Sequence, residues 1–106
     1  MTKDIGKQIV HADGRVWSKY SKDWIKPQPQ KKGYLKLKVN GKVTTLHRVI
    51  AEAFVPNPDN LPEVDHISGI KSDNRAQNLR WVTGEENIKS YRNRLNNIEQ
   101  SQPSTK

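Results

Sequence analysis

The spacing of apolar residues changes three times along this chain, and each change marks a different kind of element. The first third is thin in apolar residues. A turn signal at Asp13-Gly14 precedes a short apolar patch, Val16-Trp17, and the chain then loosens into the polar, proline-bearing "KPQPQKKG". That reads as a strand followed by an exposed loop. The next stretch, "YLKLKVNGKVTTLH", alternates on both sides of Asn40-Gly41, the pair preferred in two-residue hairpin turns. A hairpin closed there sets Leu35 opposite Leu46, Leu37 opposite Thr44 and Val39 opposite Lys42 on one face. The other face pairs Lys36 with Thr45 and Lys38 with Val43, and brings Tyr34 near His47. One face is core and the other is basic.

The period then lengthens. Leu46, Val49, Ile50, Ala53 and Phe54 fall on one side of a helix, which Pro56 and Pro58 stop. His47 and Arg48 lie at its start, where a packed or hydrogen-bonded histidine is favoured over a nucleic-acid contact. After "PNPDNLPE" come two short strands, "VDHI" and "LRWV", around the polar loop "SGIKSDNRAQN", with Leu79 and Trp81 on one face. Thr83 and Glu86 have the spacing of a capping box, so a second helix opens there. Along it Ile88, Tyr91 and Leu95 form the buried stripe, with Asn87, Tyr91 and Arg94 on an adjoining line. The pattern is α+β. Residues 1–45 form a basic, β-rich part, residues 46–98 a helix followed by a strand, loop, strand and helix, and residues 99–106 a disordered polar tail.

Composition narrows the function. A chain of 106 residues fits one domain with a modest core, which excludes a two-domain enzyme around an enclosed pocket. The formal charge of +8 favours a polyanionic partner. It is unevenly spread: residues 1–48 hold 12 Lys and Arg against 3 Asp and Glu, whereas residues 49–80 hold 3 against 5. A basic half supplies affinity for phosphates, and a slightly acidic centre suits a cation. Without cysteine there is no disulfide and no thiolate metal site. No signal-peptide core or membrane-spanning run is present in the sequence, which points to a soluble intracellular protein.

The segment Val64 to Asn87 carries the chemistry. A hairpin laid against the helix that follows brings Asp65 toward Asn87, two oxygen donors of the kind that Mg²⁺ accepts with water and substrate phosphate. His66 can take a proton from an attacking water, and Asn78 can hold its ring. The cation would stabilise the leaving oxygen of a phosphodiester. Taken singly, Asp65 is a strand-end acid, His66 a satisfied half-buried histidine, and Asn78 and Asn87 caps. The four together favour one-metal hydrolysis of a nucleic-acid backbone. One requirement follows: neighbours on a regular strand face opposite ways, so the strand must end or bend at Asp65-His66.

"LHRVIAEAFVPNPDNLPEVDHISGIKSDNRAQNLRWVTGEEN", Leu46 to Asn87, resembles the HNH nuclease family, in its homing-endonuclease-like branch of phages and mobile introns. "HADGRVWSK" to "KKGYLKLKV" resembles, more weakly, the small β module that often precedes this motif. Ser68 and Ile70 depart from the common Asp and Asn of the loop.

The resemblance implies a ββα-metal (His-Me finger) fold, with Asp65 and Asn87 on one divalent cation, Mg²⁺ or Mn²⁺. It makes His66 the general base and Asn78 its positioner, in an endonuclease that cuts or nicks double-stranded DNA. It also implies a phage-encoded protein at work in a bacterial host. Longer relatives add a C-terminal reading module, for which this chain leaves no room. Lys36, Lys38, Arg80, Arg92 and Arg94 are the expected phosphate contacts. The alternatives are a non-catalytic DNA-binding protein of the same fold and a basic RNA-binding module, the latter disfavoured by scattered aromatics. Oligomeric state stays open, and a monomer is compatible.

Overall fold

The computed structural model describes residues 1–86. Three small antiparallel sheets surround one helix. The first sheet is a meander of β1 (Thr2–Asp4), β2 (Gln8–His11), β3 (Val16–Ser18) and β4 (Asp23–Trp24) in sequential order. Only the strand at Val16-Trp17 was legible in the apolar pattern, because β1 is fully exposed and β2 turns inward at Gln8 and Val10 alone. The Asp13-Gly14 turn joins β2 to β3, with Gly14 at φ +98°.

The second sheet holds β5 (Gln28–Pro29), β6 (Leu35–Val39) and β7 (Lys42–Thr45). The hairpin register pairs Lys36 with Thr45, Leu37 with Thr44, Lys38 with Val43 and Val39 with Lys42, as the alternation predicts. Asn40 and Gly41 both take positive φ, the conformation that a tight hairpin turn requires. Asn40 also ties the two sheets together: its Nδ2 donates to Ile5 O at 2.7 Å. Leu35 does not meet Leu46 across the hairpin, because the chain has already turned into the helix at Leu46; Leu35 pairs with Pro29 instead. The expected loop thus contributes a short edge strand, a place that tolerates proline.

α1 (Leu46–Phe54) follows β7 without a linker and ends as Val55 N–H reaches Ala51 O. Leu46, Val49, Ile50 and Ala51 are buried, while Ala53 and Phe54 pack at the edge of the core. β8 (Glu63–His66) and β9 (Leu79–Val82) form the third sheet, with Val64 opposite Trp81 and His66 opposite Leu79. The β8–β9 loop closes through a 3-10 turn at Ala76–Asn78. Val10, Val16, Leu37, Leu46, Val49, Ile50, Ala51, Val64 and Leu79 make a single apolar cluster, so all three sheets share one core with α1 at its centre. Trp81 braces the far end, its Nε1 donating to Val55 O at 3.0 Å.

After β9, Thr83 and Glu86 form the capping box reciprocally: each backbone N–H is accepted by the other's side-chain oxygen, at 3.1 and 3.0 Å. The apolar stripe beyond it, the polar tail, Asn87, Arg92 and Arg94 lie outside the described residues. Among the described residues no helix is long and apolar enough to cross a membrane.

Two outcomes follow from this packing. Ile50 has no exposed surface, so Ile50→Ala removes about 2–5 kcal/mol of stability, read as a lower urea midpoint at unchanged slope. His47 stacks on Tyr34 at 5.1 Å and lies 4.8 Å from the His66 ring. Burial first, then the nearby His66 and Arg48, push its pKa down to about 4. The unfolded chain therefore takes up a proton that the folded one refuses, so stability is full above about pH 6.5 and falls as the pH drops toward 4. Urea midpoints followed from about pH 7 to about pH 4.5 fall more steeply in the wild type than in His47→Gln; equal slopes would contradict this.

Candidate active site

β8 delivers two polar residues in succession into buried positions: Asp65 is 5% exposed and His66 3%. Burying such groups is costly unless each is hydrogen-bonded. The strand register sends them to different partners. Asp65 faces its cross-strand neighbour Arg80, whose Nε and Nη2 reach Asp65 Oδ2 at 3.1 and 3.0 Å. His66 turns to the side of Leu79 and meets the Asn74 amide, with Nε2 2.8 Å from Oδ1. β8 stays regularly paired through Asp65 and His66 and ends there, and Gly69, at φ +81°, donates its N–H back to His66 O at 2.8 Å.

Asn78 serves the loop. Its Oδ1 accepts the Ser68 N–H at 3.0 Å, and its Nδ2 donates to Asp73 O at 2.9 Å. Its backbone carbonyl takes the Ile67 N–H at 2.8 Å. Asn78 thus fixes the two residues that follow His66 in the chain, and the amide touching the imidazole belongs to Asn74. The physical reason is placement: the 3-10 turn leaves Asn78 beside a loop whose backbone groups lack strand partners. Asn74 was missed because nothing in a polar loop's spacing says which amide points inward.

Two aromatic neighbours were partly legible. The stack of Tyr34 on His47 follows from the hairpin register, and the His66 ring joins the pair, 6.0 Å from Tyr34 and 4.8 Å from His47. Lys71 Nζ sits 4.7 Å over the Tyr34 ring and donates to Lys32 O, which clips the β8–β9 loop to the second sheet.

The Asp65 carboxylate is buried and already draws a positive partner, as a hard-cation ligand would. Among the described residues no three His, Cys, Asp or Glu side chains gather as a metal site. The Asp65 carboxylate is an oxygen donor of the kind a hard divalent cation accepts, and Asn87, the second expected donor, lies outside the described residues. Of the expected phosphate contacts, Lys36 is half-buried and Lys38 exposed on the same face of the hairpin, while Arg80 is engaged with Asp65. Lys38 also borders a shallow open cleft with Lys7, Ser18 and Tyr20.

Comparison with known proteins points to one family. The HNH endonuclease family profile matches residues 45–89. DNA endonuclease I-HmuI of Bacillus phage SP01 is 33% identical over 93 residues, covering 84% of this chain and 53% of that protein. The solved structure of the HNH homing endonuclease I-HmuI, described as binding and cleaving DNA, superposes with a TM-score of 0.76 at 35% identity, over 89% of this chain and 59% of that one. An uncharacterized HNH endonuclease of Acanthamoeba polyphaga mimivirus is 34% identical over 84 residues, which is 76% of this chain and 26% of that protein. The chain therefore spans about a quarter to three fifths of these relatives. With the strand, loop and strand of the motif in place and the β-rich part superposing as well, the chain belongs, through residues 45–89, to the HNH endonuclease family.

Proposed function

We propose that this protein is a divalent-cation-dependent endonuclease that nicks or cuts double-stranded DNA, with His66 as general base. The observation that carries the reading is the pair Asp65-His66 at the end of β8. Two consecutive polar residues are held buried on dedicated partners where apolar side chains would pack at no cost. They stand in a fold that matches I-HmuI at 35% identity.

In this reading Asp65 and Asn87 hold a Mg²⁺ or Mn²⁺ ion, which when bound neutralises charge developing at the leaving oxygen. Arg80 balances the charge of the Asp65 carboxylate. Asn78 holds the backbone after His66, so the ring cannot drift with the loop. Because His66 is 3% exposed, productive binding includes a local side-chain rearrangement that admits a water and the phosphate to the ring. Lys36, Lys38, Arg80, Arg92 and Arg94 contact phosphates, and the contribution of each rises as salt falls. The same burial of His66 and the ion pair on Asp65 favour one alternative, a DNA-binding protein of this fold that does not cleave.

Supercoiled plasmid separates the two. With Mg²⁺ the wild type converts it to nicked or linear form, and excess chelator stops this without abolishing duplex binding. His66→Ala lowers the rate about 10²- to 10⁴-fold, and Asp65→Ala lowers it comparably. Undiminished cleavage by His66→Ala, or in chelator, refutes the mechanism. Salt-sensitive duplex binding with no cleavage under any divalent ion identifies the non-catalytic alternative.

A further inference from the structure

Asn74 makes a contact that the reaction above does not use. It is 4% exposed, and its Oδ1 lies 2.8 Å from His66 Nε2. An imidazole nitrogen can donate or accept, so distance alone does not place the proton. The amide's second contact does. Asn74 Nδ2 donates to Lys71 O at 3.3 Å, which turns Oδ1, an acceptor only, toward the ring. In the neutral ring Nε2 therefore carries the hydrogen, and the lone pair sits on Nδ1.

We propose that Asn74 is a positioning residue: by accepting from Nε2–H it holds His66 in the tautomer whose Nδ1 takes the proton of the attacking water. The inference rests on the reading of His66 as general base. The step balances simply. Water oxygen bonds to phosphorus as Nδ1 takes its proton, the ring becomes an imidazolium still donating from Nε2, and the leaving oxygen departs with its bonding pair and is protonated by solvent.

The fold spends several contacts on keeping Asn74 in place. A Cβ on Gly14 would come within 3.1 Å of the Asn74 carbonyl carbon and oxygen, so the β2–β3 turn lies directly against this residue's backbone. Two residues on, Ala76 N–H donates to Ala12 O at 2.8 Å. The N-terminal sheet thus acts as a backstop for the amide, and the His66 ring packs beside the His47–Tyr34 pair, 4.8 Å and 6.0 Å away. Asn78 cannot do the same work, since both of its side-chain polar atoms are committed to loop backbone.

The decisive experiment reads the ring itself. Long-range ¹H–¹⁵N spectra of ¹⁵N-labelled protein at about pH 8.5, where an ordinary imidazole is neutral, show which nitrogen is protonated, with His66 assigned by loss of its signals in His66→Gln. The Nε2–H pattern is expected, and an Nδ1–H pattern overturns the proposal whatever the activity. Asn74→Ala should mix the two tautomers and lower kcat for nicking about tenfold to a hundredfold, with KM for DNA unchanged. Asn74→Asp, which keeps an acceptor in the same place, should recover most of kcat and the Nε2–H pattern. Equal losses in both variants with wild-type ring signals overturn the assignment, as would a loss confined to KM. A wild type that nicks nothing yet shows the Nε2–H pattern removes the nuclease reading, and this role with it, while leaving the hydrogen bond itself established.

Discussion

Among the described residues, no sheet is wide enough to bury its own apolar face. The sheets have four, three and two strands, and an isolated two-stranded hairpin is marginal in water. The nine-residue helix α1 resolves this by lying among them, with Ile50 fully buried in the cluster to which all three sheets contribute. The β8–β9 hairpin, which carries the candidate chemistry, exists as a defined strand pair because Val64 and Leu79 find that helix. The site therefore inherits its rigidity from α1, and α1 inherits its own from the β-rich part.

Against this apolar centre, the end of β8 is a deliberate polar island. Each buried group there has a partner of matching character: a guanidinium for the Asp65 carboxylate, an amide oxygen for the His66 ring, loop backbone for Asn78. Low local dielectric makes such bonds strong when complete and expensive when broken. A network of this kind holds side chains within narrow limits, which is what proton transfer demands and what apolar packing alone does not supply.

The basic N-terminal half has a structural part as well as an electrostatic one. Its sheet backs the β8–β9 loop through Gly14 and Ala12, and its hairpin is tied to the first strands through Asn40. Lys71 spans from the loop to Lys32 and Tyr34. Residues that look like a charged DNA-facing module in sequence thus also set the position of the loop behind the imidazole.

What was legible in the sequence was local in origin. The Asn40-Gly41 hairpin and its register, the α1 stripe and the Thr83–Glu86 capping box depend on neighbours a few residues apart, and all three stand in the structure. Tertiary contact decided the rest. β1 and β2 lack the apolar alternation that announces strands, and they form because β1 pairs with β2 and β2 with β3, while the Asn40 side chain holds the turn between them at Ile5 O. Which asparagine meets His66 was equally beyond the sequence: Asn74 and Asn78 are the same residue type in one polar loop, and only the packing of that loop against Gly14 and the 3-10 turn sends one amide to the ring and the other to the backbone.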